Sequence, residues 1–231
     1  MDLQTIKAAI TELVPTINSR QWKQFALYAE FLREKSQVMN LTAISDLEGI
    51  YEKHFYDSLL MLQTLEDFKS FCDVGSGAGF PGMVVAIMKP EVFVSLVEPL
   101  QKRCLFLQEV VELLGLTKVT IIHERAEDLA AYRHSFDVVS ARAVSRLNIL
   151  TELCLPLVKV GGHLVAMKGA AAQEETQEAK QAIGQCGGKL HSLQPQYLID
   201  GSIRYNIKIE KIKETPTHYP RRYSQIKKKP L

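Results

Sequence analysis

Twelve residues constrain this chain more than any others: Phe71-Cys72-Asp73-Val74-Gly75-Ser76-Gly77-Ala78-Gly79-Phe80-Pro81-Gly82. An apolar run enters them. Glycines follow at alternate positions, and a helical pattern starts at Pro81. That is a strand, a tight glycine turn and a helix N-terminus. Glycine tolerates positive φ and removes side chains, so a ligand can lie against backbone. Proline suits the first helical turn because its missing N–H would be an orphan there anyway. The stretch implies a nucleotide-like ligand without choosing one.

The rhythm around it narrows the fold. Strands are expected at about 70–74, 92–97, 119–122, 136–140 and 163–167, the last entered through a Gly161-Gly162 turn. Helices are expected at about 82–88, 100–114, 126–131, 146–155 and 171–184. Residues 189–199 and 203–212 read as a hairpin joined by Asp200-Gly201. Alternating strands and helices require a parallel sheet covered on both faces. Five such units closed by a hairpin match the class I S-adenosylmethionine-dependent methyltransferase fold: α/β, Rossmann-like, mostly parallel and seven-stranded, with an antiparallel last strand. The dinucleotide fold has six parallel strands and normally a separate substrate domain.

The chain before residue 66 reads as helices. Leu3, Ile6, Ile10, Leu13 and Val14 fall at helical spacing, and Ser19 is the expected cap of a second helix carrying Trp22, Phe25 and Leu32. Residues 39–46 interrupt the pattern. A further helix starts at about Asp46, capped by it or by Ser45, and sets His54, Asp57 and Ser58 among apolar residues. Such polar groups are informative only if buried. The expected organisation is an N-terminal helical extension (1–65), a cofactor-binding domain (66–212) and a basic tail (213–231).

Composition excludes several classes. No apolar run reaches the roughly 18–20 residues that span a bilayer. The first residues lack a basic segment followed by an apolar core, so the expected address is the cytoplasm. Cys72, Cys104, Cys154 and Cys186 are far apart and form no C-x-x-C pair; they read as small core residues, and no metal is expected. From Lys211 onward, seven Lys/Arg stand against Glu214, a net +6 within an overall +2. A basic tail on a mildly acidic body suggests a polyanionic partner.

The glycine turn fits two templates. Gly77-x-Gly79-x-x-Gly82 satisfies the dinucleotide fingerprint, and Asp73-x-Gly75-x-Gly77-x-Gly79 the S-adenosylmethionine turn. The hairpin, the lack of a second domain and Asp73 favour the latter. Asp73, at the end of strand one, can accept hydrogen bonds from a methionyl ammonium. Glu98 ends strand two, where a carboxylate can accept both ribose hydroxyls. Ala126-Glu127, after strand three, sit where this fold contacts adenine; the plainer alternative is solvated helix-start acids. Ser140-Ala141-Arg142-Ala143 ends strand four, where the methyl group is transferred. No Asn/Asp-Pro-Pro-Tyr/Phe motif occurs there, and Cys154 is mid-helix, so neither exocyclic-amine nor cytosine-C5 chemistry is indicated. Arg142, Arg146 and Lys168 stand there instead. Guanine N7 has an in-plane lone pair and no proton to lose, so it needs orientation rather than a base. Arginine matches the guanine O6/N7 edge.

In combination, Asn40-Leu41-Thr42-Ala43-Ile44, His54-x-x-Asp57-Ser58, the glycine turn, Lys102-Arg103 after Glu98, Ala126-Glu127, Ser140-Ala141-Arg142-Ala143 and Met167-Lys168-Gly169 resemble the bacterial glucose-inhibited division protein B family. Those are 16S ribosomal RNA guanine-N7 methyltransferases. The resemblance implies that Gly75, Phe80, Ala126, Glu127, Arg142 and the segment Glu98-Pro99-Leu100 contact S-adenosylmethionine. Asp73, Gly77 and Gly79 join them from the turn. Arg142 and Lys168 are the candidate catalytic residues. Arg146, Arg221, Arg222, Lys227, Lys228 and Lys229 are the candidate RNA contacts. The partner would be 16S rRNA or the small ribosomal subunit, with no membrane, and the protein a monomer. The alternative is a small-molecule methyltransferase of the same fold, which has no need of the basic tail.

Overall fold

The structure, a computed structural model, describes residues 2–231. Its N-terminal part is helical. α1 (Leu3–Leu13) buries Ile6 and Ile10. α2 (Ser19–Met39) buries Phe25, Tyr28, Ala29 and Leu32, at the three- and four-residue spacing of an amphipathic helix. The cap of α2 is Asn18, not Ser19. Asn18 Oδ1 accepts the Gln21 N–H and Gln21 Oε1 accepts the Asn18 N–H, both at 3.0 Å. This reciprocal arrangement needs an amide or acid three residues on; Gln21 supplies it for Asn18, whereas Ser19 has Trp22 there. Asp46 caps α3 (Leu47–Ile50), accepting the Gly49 N–H at 2.6 Å. α3 continues through a wide π-helical turn, Tyr51–Tyr56, into α4 (Asp57–Leu62). Within the turn's exit the Asp57 N–H reaches back five residues to Glu52 O.

The remaining elements are β1 (Ser70–Val74), α5 (Gly82–Met88), β2 (Phe93–Val97), α6 (Gln101–Leu114), β3 (Val119–Ile122), β4 (Phe136–Arg142), α7 (Leu147–Cys154), β5 (Val158–Lys168), α8 (Ala172–Glu178), α9 (Lys180–Gln185), β6 (Gly188–Tyr197), β7 (Ile203–Lys211) and α10 (Tyr223–Lys228). They form one seven-stranded sheet in the order β3-β2-β1-β4-β5-β7-β6. The first five strands are parallel, and β7 is antiparallel to both neighbours. The order reverses between β1 and β4, where an open α/β sheet leaves a crevice at its carboxyl ends.

Three local expectations are corrected. Gly161 and Gly162 lie inside a longer β5, where the register against β4 shifts between Phe136 and Val138. The helix expected at 171–184 breaks at Ala179 into α8 and α9. The short helix near 126–131 is two 3-10 turns, Ala126–Asp128 and Ala130–Tyr132.

Strand alternation divides the core in two. Phe71, Val138 and Val165 face a cluster shared with α1, α2, α5 and α6, while Cys72, Val139 and Leu164 face one shared with α7, α9 and α10. The N-terminal helices thus pack into the same core as one face of the sheet. All four cysteines are buried and free. Among the described residues no helix is long and apolar enough to cross a membrane, and no cluster of metal-ligating side chains occurs.

The C-terminal segment folds back on the second face. Thr215 and Ile226 are buried. Arg133 donates to the carbonyls of Thr215 at 2.7 Å and Tyr219 at 2.5 Å. Arg221, a candidate RNA contact, grips Glu152 of α7. Its Nε donates to Oε1 at 2.8 Å, its Nη2 to Oε2 at 2.5 Å and its backbone N–H to Oε1 at 2.9 Å. Glu152 is 0% exposed, so a buried carboxylate depends on this fork. Arg222, Lys227, Lys228 and Lys229 remain exposed. Replacing Arg221 by Ala strands that carboxylate and should cost about 3 kcal/mol, read as a lower midpoint in denaturant. In the double variant with Glu152→Gln most of the loss should return; equal losses would show that the pair does not anchor the tail.

Candidate active site

The glycine turn closes on two buried carboxylates. Asp73 Oδ2 accepts the Gly82 N–H at 3.0 Å and Oδ1 accepts the Ser140 hydroxyl at 2.9 Å. Asp73 and Ser140 are register partners on β1 and β4, so one side chain ties both strands to the start of α5. Asp73 is 0% exposed. Burial pushes its carboxyl up to about 6, against the opposing pull of those hydrogen bonds and of Arg142. Its two oxygens thus hold the turn. Glu98, at the end of β2, bridges the turn to the next loop. Its Oε2 accepts the Gly77 N–H and its Oε1 the Leu100 N–H, each at 2.9 Å.

The three turn glycines differ in what they face. Gly75, Gly77 and Gly79 all have positive φ, at 72°, 58° and 98°. A Cβ on Gly79 would meet Tyr28 Oη at 2.6 Å and Met83 Cγ at 2.7 Å; one on Gly75 would meet Val144 Cγ2 at 2.5 Å. Those two glycines admit protein. Gly77 faces open space, its nearest neighbour being Gly75 O at 3.9 Å. Beside it lies a cleft of about 220 Å³ whose lining includes Thr42, Gly75, Gly77, Phe80, Arg103 and Arg142. Backbone without a side chain beside an open cleft is what a closely laid cofactor requires, so these residues fit S-adenosylmethionine.

Farther along the strand ends, Glu127 Oε1 accepts from Arg125 Nε at 2.7 Å, and the Arg125 guanidinium sits 5.3 Å from the Tyr223 ring centroid. The tail therefore reaches the corner occupied by Ala126 and Glu127. His123 Nε2 lies 3.1 Å from Pro99 O, linking the loops after β2 and β3.

Arg142 is the junction of the site. Its Nη1 donates to Lys53 O at 3.0 Å and to Asp57 Oδ2 at 3.2 Å; its Nη2 lies 3.0 Å from His54 Nδ1. Its guanidinium is 5.2 Å from the Phe80 ring centroid, and His54 stacks on Phe80 at 4.5 Å. His54 Nδ1 also lies 3.1 Å from Lys53 O, but that carbonyl accepts from Arg142 Nη1. Guanidinium is only a donor, so Nδ1 accepts from Arg142 and the ring proton of the neutral form belongs on Nε2, 2.9 Å from Thr42 Oγ1. Burial and the Arg142 charge push the His54 ring down to about 3. Burial raises the Asp57 carboxyl, while Arg142 and Arg204 pull it back. The residue after Arg142, Ala143, has φ 57°, a left-handed backbone held beside the site.

Two of the cationic candidates have acidic partners. Lys168 is largely buried; its ammonium donates to Ser145 O and pairs with Glu175 Oε2 at 2.8 Å. Glu175 Oε2 also accepts the Leu147 N–H at 2.8 Å. Lys168 thus orders the loop after β4. Arg146 is exposed but paired with Glu178 at 2.5 Å and Glu174 at 3.6 Å. Three contributors went unassigned in the sequence. Tyr28, on the buried face of α2, donates its hydroxyl to Ala78 O and stacks on Phe80 at 5.1 Å. His54 and Asp57 carry the one available signal, polar residues three apart on an apolar helix.

Sheet order, glycine turn and strand-end acid define a class I S-adenosylmethionine-dependent methyltransferase. Solved structures agree on the fold. M. jannaschii TYW2 in complex with AdoMet superposes with a TM-score of 0.56 over 68% of this chain and 75% of that one, at 17% identity. A SAM-dependent methyltransferase from Aquifex aeolicus gives 0.56 over 73% and 96%, at 14% identity. Sequence relatives are nearer. The Ribosomal RNA small subunit methyltransferase G of Lactobacillus johnsonii is 47% identical, covering 93% of both chains. Its namesake in Staphylococcus carnosus is 44% identical over 94% of this chain and 93% of its own. The family model for rRNA small subunit methyltransferase G (GidB) matches residues 21–196, and this chain belongs to that family.

Two outcomes follow from this geometry. Gly77→Ala should weaken S-adenosylmethionine binding at least tenfold, at a cost in stability of only about 1–2 kcal/mol for the left-handed backbone. Gly79→Ala should instead unfold the turn; calorimetry and thermal melts on both would reveal the reverse order if the cleft assignment were wrong. His54 is neutral in the folded chain down to about pH 3, whereas the unfolded ring takes a proton below 6.5. Stability should therefore fall as pH drops from 6.5, by up to about 1.4 kcal/mol per unit from this group. Asp73, whose folded carboxyl is raised from 3.8 to about 6, contributes the opposite slope between those values. Urea melts of His54→Gln should lose the acid-side decline; an unchanged profile would mean that the ring is not held neutral.

Proposed function

We propose that this chain transfers a methyl group from S-adenosylmethionine to N7 of one guanine in the 16S rRNA of the small ribosomal subunit. The observation that carries the reading is the character of the junction at Arg142. Beyond the cofactor cleft lies a second hollow of about 380 Å³, and both are lined by His54, Arg142 and Ala143. At this shared wall the groups are engaged: His54 is neutral with both nitrogens partnered, and Asp57 is held by arginines. A nucleophile that must shed a proton finds only a fully partnered neutral histidine and an arginine-paired carboxylate there, whereas N7 needs no base. The relatives' names supply the substrate class and count against the small-molecule alternative.

When bound, S-adenosylmethionine would supply a sulfonium-activated methyl whose carbon the N7 lone pair attacks in line, the C–S bond breaking as S-adenosylhomocysteine leaves. The chain's own contribution is positioning. The Gly75–Ala78 backbone and the Glu98 brace seat the methionine end and ribose. Arg142 presents a fixed cation at the meeting point. Residues 1–65 supply one wall of both hollows, 66–212 the cofactor seat, and 213–231 the exposed cations Arg222, Lys227, Lys228 and Lys229. The working unit in this reading is a monomer in the cytoplasm. The test offers labelled S-adenosylmethionine to undermethylated small subunits and, separately, to stripped rRNA, then maps the label. A single labelled guanine is expected. Label on neither substrate, or on a pyrimidine, refutes the assignment.

A further inference from the structure

The second hollow lies on the β5/β7 side of Arg142 and holds one carboxylate, Asp57, among Lys53, Arg142, Lys168 and Arg204. A pocket for a polyanion's base gains nothing electrostatically from an acid. A carboxylate there must face a donor on the ligand or be a structural partner of the arginines. Asp57 has capacity left. Its Oδ2 takes one Arg142 N–H at 3.2 Å, and Arg204 Nε is 3.8 Å from Oδ1, beyond hydrogen-bond reach. An ionised carboxylate has about four acceptor positions. Arg142 likewise has five N–H groups, and its partners among the described residues are Lys53 O, Asp57 and His54. A donor and an acceptor thus stand side by side on one wall of a base-sized hollow next to the cofactor cleft.

Guanine presents the complementary pair on adjacent atoms. O6 accepts and N1–H donates, and O6 adjoins N7 on the ring edge. Adenine reverses both: a donor amine replaces O6 and N1 becomes an acceptor. Resting on the N7 reading above, we propose that Asp57 is a specificity-determining residue of the hollow, accepting the guanine N1–H while Arg142 donates to O6. A wrong base then meets two mismatches, carboxylate against a lone pair and guanidinium against an amine. The exocyclic N2 amine has no role in this pairing.

The test uses small subunits reconstituted with rRNA carrying guanine, inosine, 2-aminopurine or 7-deazaguanine at the target position. Inosine keeps O6 and N1–H and should be methylated within a few-fold of guanine. 2-Aminopurine lacks both and should be slower by roughly 10- to 100-fold. In Asp57→Asn, S-adenosylmethionine affinity should stay within about twofold, guanine kcat/KM should fall, and the guanine to 2-aminopurine ratio should collapse, because an amide can donate to N1. A purely structural Asp57 would lower both substrates equally and leave that ratio unchanged, which overturns the proposal. So does wild-type rejection of inosine as strong as that of 2-aminopurine, or equal wild-type rates on guanine and 2-aminopurine, neither of which needs the variant to fold. Methylation of 7-deazaguanine would sink the N7 reading separately.

Discussion

Arg142 is where the parts of this protein meet. A guanidinium is planar, permanently charged and able to donate in several fixed directions. Here it leaves the end of β4 and reaches Lys53, His54 and Asp57 on the π-helical turn while lying against Phe80 of the glycine turn. Each neighbour is then constrained. His54 must stay neutral, since a second cation at 3.0 Å from Arg142 would be repelled, and its proton must face Thr42. Burial raises the Asp57 carboxyl, and the nearby Arg142 cation, itself mostly withdrawn from water, favours its charged form. One side chain thereby sets the protonation and orientation of a whole wall.

The same contacts explain why the N-terminal helices belong to the catalytic unit. Tyr28 and Phe55 pack on Phe80, and Tyr28 donates to the Ala78 carbonyl. The glycine turn is consequently held from above by α2 and the π turn, and from below by Asp73 and Glu98. A boundary near residue 65 marks a change of secondary structure, while the site itself is built across it.

The sheet was legible from the chain because period-two apolar runs, glycine punctuation and a terminal hairpin all favour one architecture. The placement of Gly75, Gly77, Glu98 and Arg142 at strand ends was legible for the same reason: it follows from topology. The ion pairs of Lys168 and Arg221 were not legible, because a basic residue looks alike whether it is free or committed. Their partners, Glu175 and Glu152, lie on helices that no local pattern ties to them. Glu152 left a faint trace as a lone acid within the apolar Leu147–Cys154 helix. The reach of Asp73 back to Gly82 N–H was not legible, because position at a strand end does not reveal burial. The π turn left no trace, since one extra residue per turn blurs the helical period without erasing it.

That turn makes this helix unusually sensitive to length. Its five-residue bond from Asp57 to Glu52 accommodates one residue more than an α-helical turn would. Deleting one residue between Tyr51 and Tyr56 would restore regular α-helical bonding and so improve the local backbone. Where the lost residue is Tyr56, His54 and Asp57 fall two residues apart, about 200° around a regular helix, and no longer share a face toward Arg142. A shorter, better-formed helix would leave the strand pairing of the sheet intact and the wall between the two hollows dismantled.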